Sequence, residues 1–282
     1  MTDAYIYESI RSPRTKAKES GGLHELTPSE LLAQLYETLA RRQNLDPSVV
    51  SEIILGCVTQ YGEQAANIAK TSSLLARWPA TVAGMTLNRF CSSSIDAISL
   101  AALKVAAGHS SVVLAGGVEM MSRVPLMADR ARVFADHEYG VSHQVLLMGA
   151  GADLIAERVG ASRADCDAVA YLSHQRALRA QHEGRFTSVV PIKTPSGSVS
   201  LDECIRPLLT AERLAAMPPA FLTLGAAGSD AVQLSQYPEL TKIAHVHTAG
   251  NSPAMCDAAA VLLVGSKMLA SDQGLTPKVR IV

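Results

Sequence analysis

The sequence predicts an α/β fold: a mainly parallel five-stranded sheet with helices on both faces, plus one large inserted segment. Three observations lead there. Short strand-like runs alternate with helical runs over residues 4–116, and the alternation resumes near residue 244. The inner run EIILGCV at 52–58 is almost wholly apolar, as a strand covered on both faces must be. Between about 119 and 240 the alternation stops, and prolines at 191, 195, 207, 218, 219 and 238 break the chain.

Residues 4–10 (AYIYESI) read as the first strand, rich in β-branched and aromatic side chains and closed by Ser12-Pro13. Thr27-Pro28-Ser29-Glu30 is a capping box with proline at the first helical position. The helix it opens carries Leu31, Leu32, Leu35 and Leu39 on one face. After the strand at 52–58 come a helix around 67–76, a strand around 85–90 and a long small-residue helix over 92–107. A strand at 111–116 then ends in Gly116-Gly117. Inside the insertion, helices are expected at 149–159 and 163–182. The sheet pattern returns at 244–248, where His245 and His247 alternate along a strand. They read as sheet-face residues rather than a catalytic pair or a metal site, which would need a third ligand. Residues 277–282 look like the opening of another strand.

Composition narrows the function classes. Of 282 residues, 48% are hydrophobic and 18% charged, so the chain can build a sizeable core. A formal net charge of −1 gives no electrostatic case for nucleic acid or an anionic membrane. The five cysteines, at 57, 91, 166, 204 and 256, are odd in number and form no CxxC pair. That pattern argues against a disulfide framework or a zinc site and for a reducing compartment. The sequence shows no signal-peptide run and no apolar stretch of membrane-spanning length, so a cytoplasmic location is expected.

One cysteine stands apart. In NRFCSSSID (88–96), Cys91 falls between an apolar strand and a run of serines where a helix begins. In mainly parallel sheets, chemistry collects at the C-terminal ends of strands. A cysteine at a helix start lies near unpaired N–H groups and the positive end of the helix dipole, which favour the nucleophilic thiolate. The plainer alternative is a buried structural cysteine, since free cysteine is among the most buried residue types.

LNRFCSSSIDAISLAALKVAAG (87–108), VLAGGVEMMSRVPL (113–126) and HVHTAGNSPAMCDAAAVLLVGS (245–266) resemble three motifs of the thiolase family, in the family's order. IRSPRTK (10–16) and GLTPKVRIV (274–282) resemble further landmarks, so the resemblance covers essentially the whole chain. It is greatest to the bacterial β-oxidation thiolases, including β-subunits of the fatty-acid oxidation complex. The resemblance implies a thiolase-like fold and thiolytic cleavage of 3-ketoacyl-CoA by free CoA, or the reverse condensation. Cys91 would take the acyl group as a thioester. Gly116-Gly117 would lie near the site, Met148 would contact substrate, and Gly250, Asn251 and Ser252 would meet CoA. Coenzyme A would be a substrate, with no other cofactor. A homo-oligomer and a fatty-acid-oxidation α-subunit are the implied protein partners.

The expected domains are 1–118 (first part of an N-terminal thiolase half), 119–240 (a loop domain covering CoA), 241–276 (the return) and 277–282 (first strand of a C-terminal half). Several positions depart from the family pattern. Ser94 stands where glycine follows "CSS", Leu147 where an "HMG" histidine stands, and Pro253 where a serine is associated with CoA contact. Ala254 and Ala258 replace glycines, and alanine does not adopt positive φ cheaply. The family's second-half motifs "NEAF", "GHP" and "CxG" do not occur in these residues. The expectation is therefore an N-terminal half plus loop domain, with the far face of the 92–107 helix exposed. Thiolysis should be weak without the family's acid–base groups, whose help is typically worth ~10²–10⁴ in rate. A non-catalytic acyl-CoA-binding or interaction protein is the alternative. A decarboxylative ketoacyl synthase fits less well, because the GGVEMMSRVP segment is thiolase-like.

Overall fold

A computed structural model describes residues 3–282, the side chains of 270–272 apart. The chain forms two compact units. One contains the residues up to Asp129 with Phe186–Cys204 and Met255–Val282; the other contains Arg130–Arg185 and Ile205–Ala254. The first unit opens with β1 (Ala4–Arg11), β2 (Thr15–Lys16), α1 (Pro28–Gln43), β3 (Glu52–Gly56) and α2 (Ile68–Leu75). It continues with β4 (Ala83–Leu87), α3 (Ser93–Ala106) and β5 (Val112–Met120). The second unit follows with α4 (Arg132–Ala135), α5 (His137–Ser142), α6 (Met148–Val159) and α7 (Arg163–His182). The chain returns to the first unit for the hairpin β6 (Ile192–Thr194) and β7 (Gly197–Val199). It then gives α8 (Ala211–Ala215), α9 (Leu222–Leu224) and α10 (Asp230–Gln236) to the second. It finishes in the first unit with β8 (Cys256–Ser266), α11 (Met268–Gln273) and β9 (Val279–Ile281).

The main sheet has the order β4-β3-β5-β8-β1-β9, with β2 pairing on β8. β3 runs parallel to β4 and β5, while β8 runs antiparallel to both β5 and β1. Of the five long strands, only β8 therefore opposes the rest. Short β2 and β9 extend this mainly parallel sheet, β9 pairing antiparallel with β1 at the edge.

Helices cover both faces, and the period-2 alternation of a strand decides which residue goes where. Ile53 and Leu55 of β3 join Leu31, Leu32, Leu35 and Leu39 of α1 and Ile68 of α2 in one core. Ile54, between them, joins Ala97, Ala101 and Val105 of α3 in the other. Each fully buried leucine contributes about 1.5–3 kcal/mol. The α1 capping box forms as expected. Glu30 N–H donates to Thr27 Oγ1 at 3.3 Å, and Thr27 N–H donates to Glu30 Oε2 at 2.7 Å. The outer face of α3 leaves Ile95 and Leu103 exposed. Among the described residues no helix is long and apolar enough to cross a membrane.

Some expected features differ. β5 runs on to Met120, so Gly116-Gly117 lie within a strand and not at a turn. Residues 244–248 form no strand, and among the described residues they pair only through a single bridge between Pro219 and Thr248. Carboxylates supply what a neighbouring strand would have: Ala244 N–H donates to Glu157 at 3.0 Å, and Val246 and His247 N–H donate to Asp153 at 3.2 and 3.1 Å. The returning strand is β8 instead. The division into units groups 119–129 and 186–204 with the first unit and 241–254 with the second, so its boundaries differ from those read in the sequence.

Candidate active site

Five residues, 88–92, turn the chain from β4 into α3. Phe90 takes the left-handed conformation, φ 49°, which costs a non-glycine residue about 1–3 kcal/mol and persists only where its surroundings over-determine it. Here they do. Phe90 N–H donates to Asn88 Oδ1 at 2.8 Å, and Phe90 O accepts from Ser93 N–H at 3.0 Å and Ser93 Oγ at 2.6 Å. Ser93 Oγ also accepts from Arg89 N–H at 2.8 Å. Cys91, next in the chain, is exposed, just ahead of the α3 cap Ser92. It is neither a buried structural thiol nor half of a disulfide.

The sheet holds this turn in two ways. First, glycines leave room for it. A Cβ on Gly56, at the end of β3, would lie 2.5 Å from Ser93 C and Ser94 N. A Cβ on Gly117 in β5 would lie 2.1 Å from Ser94 Oγ. The first turn of α3 therefore rests against two strands that carry no side chain there, and the serine that departs from the family pattern packs against Gly117. Second, polar groups tie the loops together. Glu119 accepts from Val58 N–H at 2.9 Å, Thr59 N–H at 3.3 Å and Gln64 Nε2 at 2.7 Å. Gln64 Oε1 accepts from Met120 N–H at 2.7 Å. Asn88 Nδ2 donates to Val58 O at 3.0 Å, so the frame runs from Glu119 through Val58 and Asn88 to Phe90.

Burial, then the charge of Glu119, pushes the nearby Cys57 thiol up to about 12, which leaves it unreactive. Two histidines belong to this unit. His24 Nδ1 contacts Ser122 Oγ at 2.9 Å, and Ser122 donates to Asp257, whose pKa burial raises. His109 follows the C-terminal end of α3, opposite the end that Cys91 precedes.

The other expected site residues lie in the second unit. Met148 opens α6 and is exposed. The side chain of Asn251 is engaged within the chain. Its Oδ1 accepts from Thr248 N–H at 2.8 Å, and its Nδ2 donates to Asp167 at 2.8 Å and to Val246 O at 3.1 Å. Gly250 N–H donates to Thr248 Oγ1 at 3.1 Å. Both residues build the turn that presents Ser252, which is half-buried beside exposed Pro253 and Ala254. Neither Ala254 nor Ala258 is among the residues with positive φ, and Ala258 lies in β8, so replacing glycine strains neither position.

Sequence reasoning missed Asp153. It is fully buried, and its carboxylate accepts from His245 Nδ1 at 2.9 Å and His247 Nδ1 at 2.7 Å. His245 Nε2 also reaches Asp230 at 3.1 Å. Burial acts most strongly on His245 and lowers its pKa, but the two carboxylates together outweigh it and the net direction is up. A signal was present: Gly149, Ala150, Asp153 and Ala156 share one buried, small-residue face of α6, where an acid needs partners. Among the described residues no group of three or more His, Cys, Asp or Glu is arranged to hold a metal ion.

A family profile described as "Thiolase, N-terminal domain" matches residues 5–268. The 3-oxoadipyl-CoA/3-oxo-5,6-dehydrosuberyl-CoA thiolase of Escherichia coli is 34% identical, the match covering 100% of this chain and 71% of that protein. A 3-ketoacyl-CoA thiolase of Colwellia psychrerythraea is also 34% identical, over 100% of this chain and 69% of the relative. The crystal structure of the Bacillus anthracis acetyl-CoA acetyltransferase superposes with a TM-score of 0.79 at 34% identity. That match covers 100% of this chain and 70% of the other.

Proposed function

Because the chain belongs to the thiolase family of acyltransferases, we propose that it carries the acyl-transfer nucleophile for thiolytic cleavage of 3-ketoacyl-CoA in fatty-acid β-oxidation. The observation that supports this is Cys91, exposed at a strand-to-helix turn that Ser93, Asn88, Gly56 and Gly117 hold in a strained conformation. The thiolate attacks the C3 carbonyl, the C2–C3 bond breaks, and C2 takes a proton to leave as acetyl-CoA. The shortened acyl group stays on Cys91 as a thioester until the thiol of a second CoA removes it. CoA is thus consumed as a substrate, and no resident cofactor enters.

Met148 is proposed as a substrate contact, and the turn of Gly250, Asn251 and Ser252 as a CoA contact made through Ser252. The family's "GHP" and "CxG" motifs are not in these residues, so these residues alone should acylate but turn over little. Exposed Phe90, Ile95 and Leu103 support assembly with further copies, and the β-oxidation reading would add an α-subunit. A cytoplasmic location fits five cysteines that form no disulfide among the described residues.

The test is to mix the protein with acetoacetyl-CoA, quench, and weigh the digested peptides. An acetyl group on the Cys91 peptide, absent in Cys91→Ala, is expected. Acyl-CoA binding without any adduct on Cys91 would leave the non-catalytic reading in its place. Comparing monocarboxylic with dicarboxylic 3-ketoacyl-CoA substrates separates β-oxidation from the substrate class named for the Escherichia coli relative.

A further inference from the structure

Two other cysteines meet in the first unit. Cys256 pairs with Lys16 across β8 and β2. The residue before Cys204 is pinned to the same short stretch. Glu203 N–H donates to Arg14 O at 2.9 Å, Lys16 N–H donates to Glu203 Oε2 at 3.1 Å, and Gly22 N–H donates to Glu203 Oε1 at 3.0 Å. Asp202 adds a further bond, accepting from Arg14 N–H at 2.8 Å. Residues far apart in sequence are thus clamped to one segment, and their thiols lie in hydrogen-bond contact, both free and both partly exposed.

We propose that Cys204 and Cys256 form a reversible dithiol site, oxidised to an intramolecular disulfide by low-molecular-weight disulfides. The Cys204 thiolate attacks one sulfur of the oxidant, and a small thiolate leaves. The Cys256 thiol then loses its proton and displaces the second small thiol from Cys204. Two protein thiols become one disulfide, and one small disulfide becomes two thiols. No other oxidant is needed.

Cys204 is suited to attack first. The hydrogen bond from the Cys256 thiol, helped by the Arg14 charge against burial, brings its pKa down to about 7. The same contact and burial raise Cys256, which marks it as the resolving partner. A disulfide needs its two chain segments side by side, and the shared Arg14–Lys16 stretch holds them so. The bond would close the chain over residues 205–255. Cys57 is too buried for this chemistry, and Cys91 is engaged elsewhere in the proposed reaction.

The test uses oxidised and reduced glutathione in defined ratios, followed by alkylation of the remaining thiols and peptide mapping. A Cys204–Cys256 linked peptide should grow with the oxidised fraction and vanish on reduction. In Cys256→Ser, glutathione should accumulate on Cys204. In Cys204→Ser, it should add to Cys256 at least about tenfold more slowly at neutral pH. Three results would overturn the assignment: no linked peptide under excess oxidised glutathione, linkage to Cys91 or Cys166 in its place, or equal glutathione adduct rates in the two variants.

Discussion

Gly117→Ala tests whether the sheet positions Cys91 by leaving space. The added Cβ would sit 2.1 Å from Ser94 Oγ and 2.6 Å from Gly56 O. Ordinary contact begins near 3.4 Å, so α3 must retreat by about 1 Å or β3 and β5 must part, an overpacking that costs roughly 1–3 kcal/mol. With a backbone oxygen among the clashing atoms, the upper end applies, and about 3 kcal/mol lowers the melting temperature of a chain this size by about 6–12 °C. A displacement of about 1 Å at the nucleophile can cost on the order of 10²-fold in reaction rate. Differential scanning fluorimetry reads the first effect, and the rate of acyl-adduct formation on Cys91 reads the second. Adding Ser94→Gly removes the nearer contact but leaves Gly56 O in place, so it should restore part of both losses. A Gly117→Ala protein that melts within about a degree of the parent and acylates at the parent rate would refute the argument.

Three further outcomes are expected. Asp202→Ala breaks a bidentate pair with Arg11, 2.8 Å on each arm, in which Asp202 is almost fully buried. It should cost about 3–5 kcal/mol in denaturant unfolding near neutral pH. Burial acts most strongly on Asp202 and raises its pKa, but Arg11 and Arg14 outweigh it and the net direction is down. The native bonds of Asp202 therefore stabilise the fold above the ordinary carboxylate range, and the deficit of the variant should shrink as pH falls through the lowered native value. For His245, whose native pKa is raised, the sign reverses: the stabilisation is full at mildly acidic pH and is lost as pH rises through the raised value. His245→Asn should thus lower the melting temperature more at pH 6 than at pH 9, and equal losses would show that the ion pairs with Asp153 and Asp230 contribute nothing. Ser93→Ala removes the bonds to Arg89 N–H and Phe90 O. It should cost about 1–3 kcal/mol and slow acylation of Cys91, and an unchanged acylation rate would mean that Phe90 holds its conformation unaided.

Much of this was legible in the sequence because local rules and tertiary need agree. The Thr27–Glu30 box starts α1 as written, and the leucines at helical spacing face the core. The apolar run at 52–58 gave β3 away because both its faces are covered. Cys91 stood out through its neighbours, since serines before a helix are poor company for a buried thiol. What stayed hidden depends on partners distant in sequence. Residues 244–248 alternate like a strand, yet Asp153 and Glu157, about ninety residues earlier, take their N–H groups. The Cys204–Cys256 contact arises only because both segments bind the Arg14–Lys16 stretch, which no spacing rule encodes. Gly117 reads as a turn residue until α3 is seen resting on it.

The place of β8 bears on how the sheet comes into being. Ala4 of β1 pairs with Ser266, and Val112 of β5 pairs with Gly265, so β8 joins β1 to the β3–β4–β5 half of the sheet. Parallel β3, β4 and β5 can pair as soon as they and their crossover helices exist. β1, made first, must wait for a strand made more than two hundred residues later. At about 5–20 residues per second of synthesis, that wait is on the order of tens of seconds. During that time β1 has an apolar inner face and open edges, the condition in which strands find wrong partners. Folding dominated by such distant pairing is slow, and refolding from denaturant should be limited by the docking of β8 between β5 and β1.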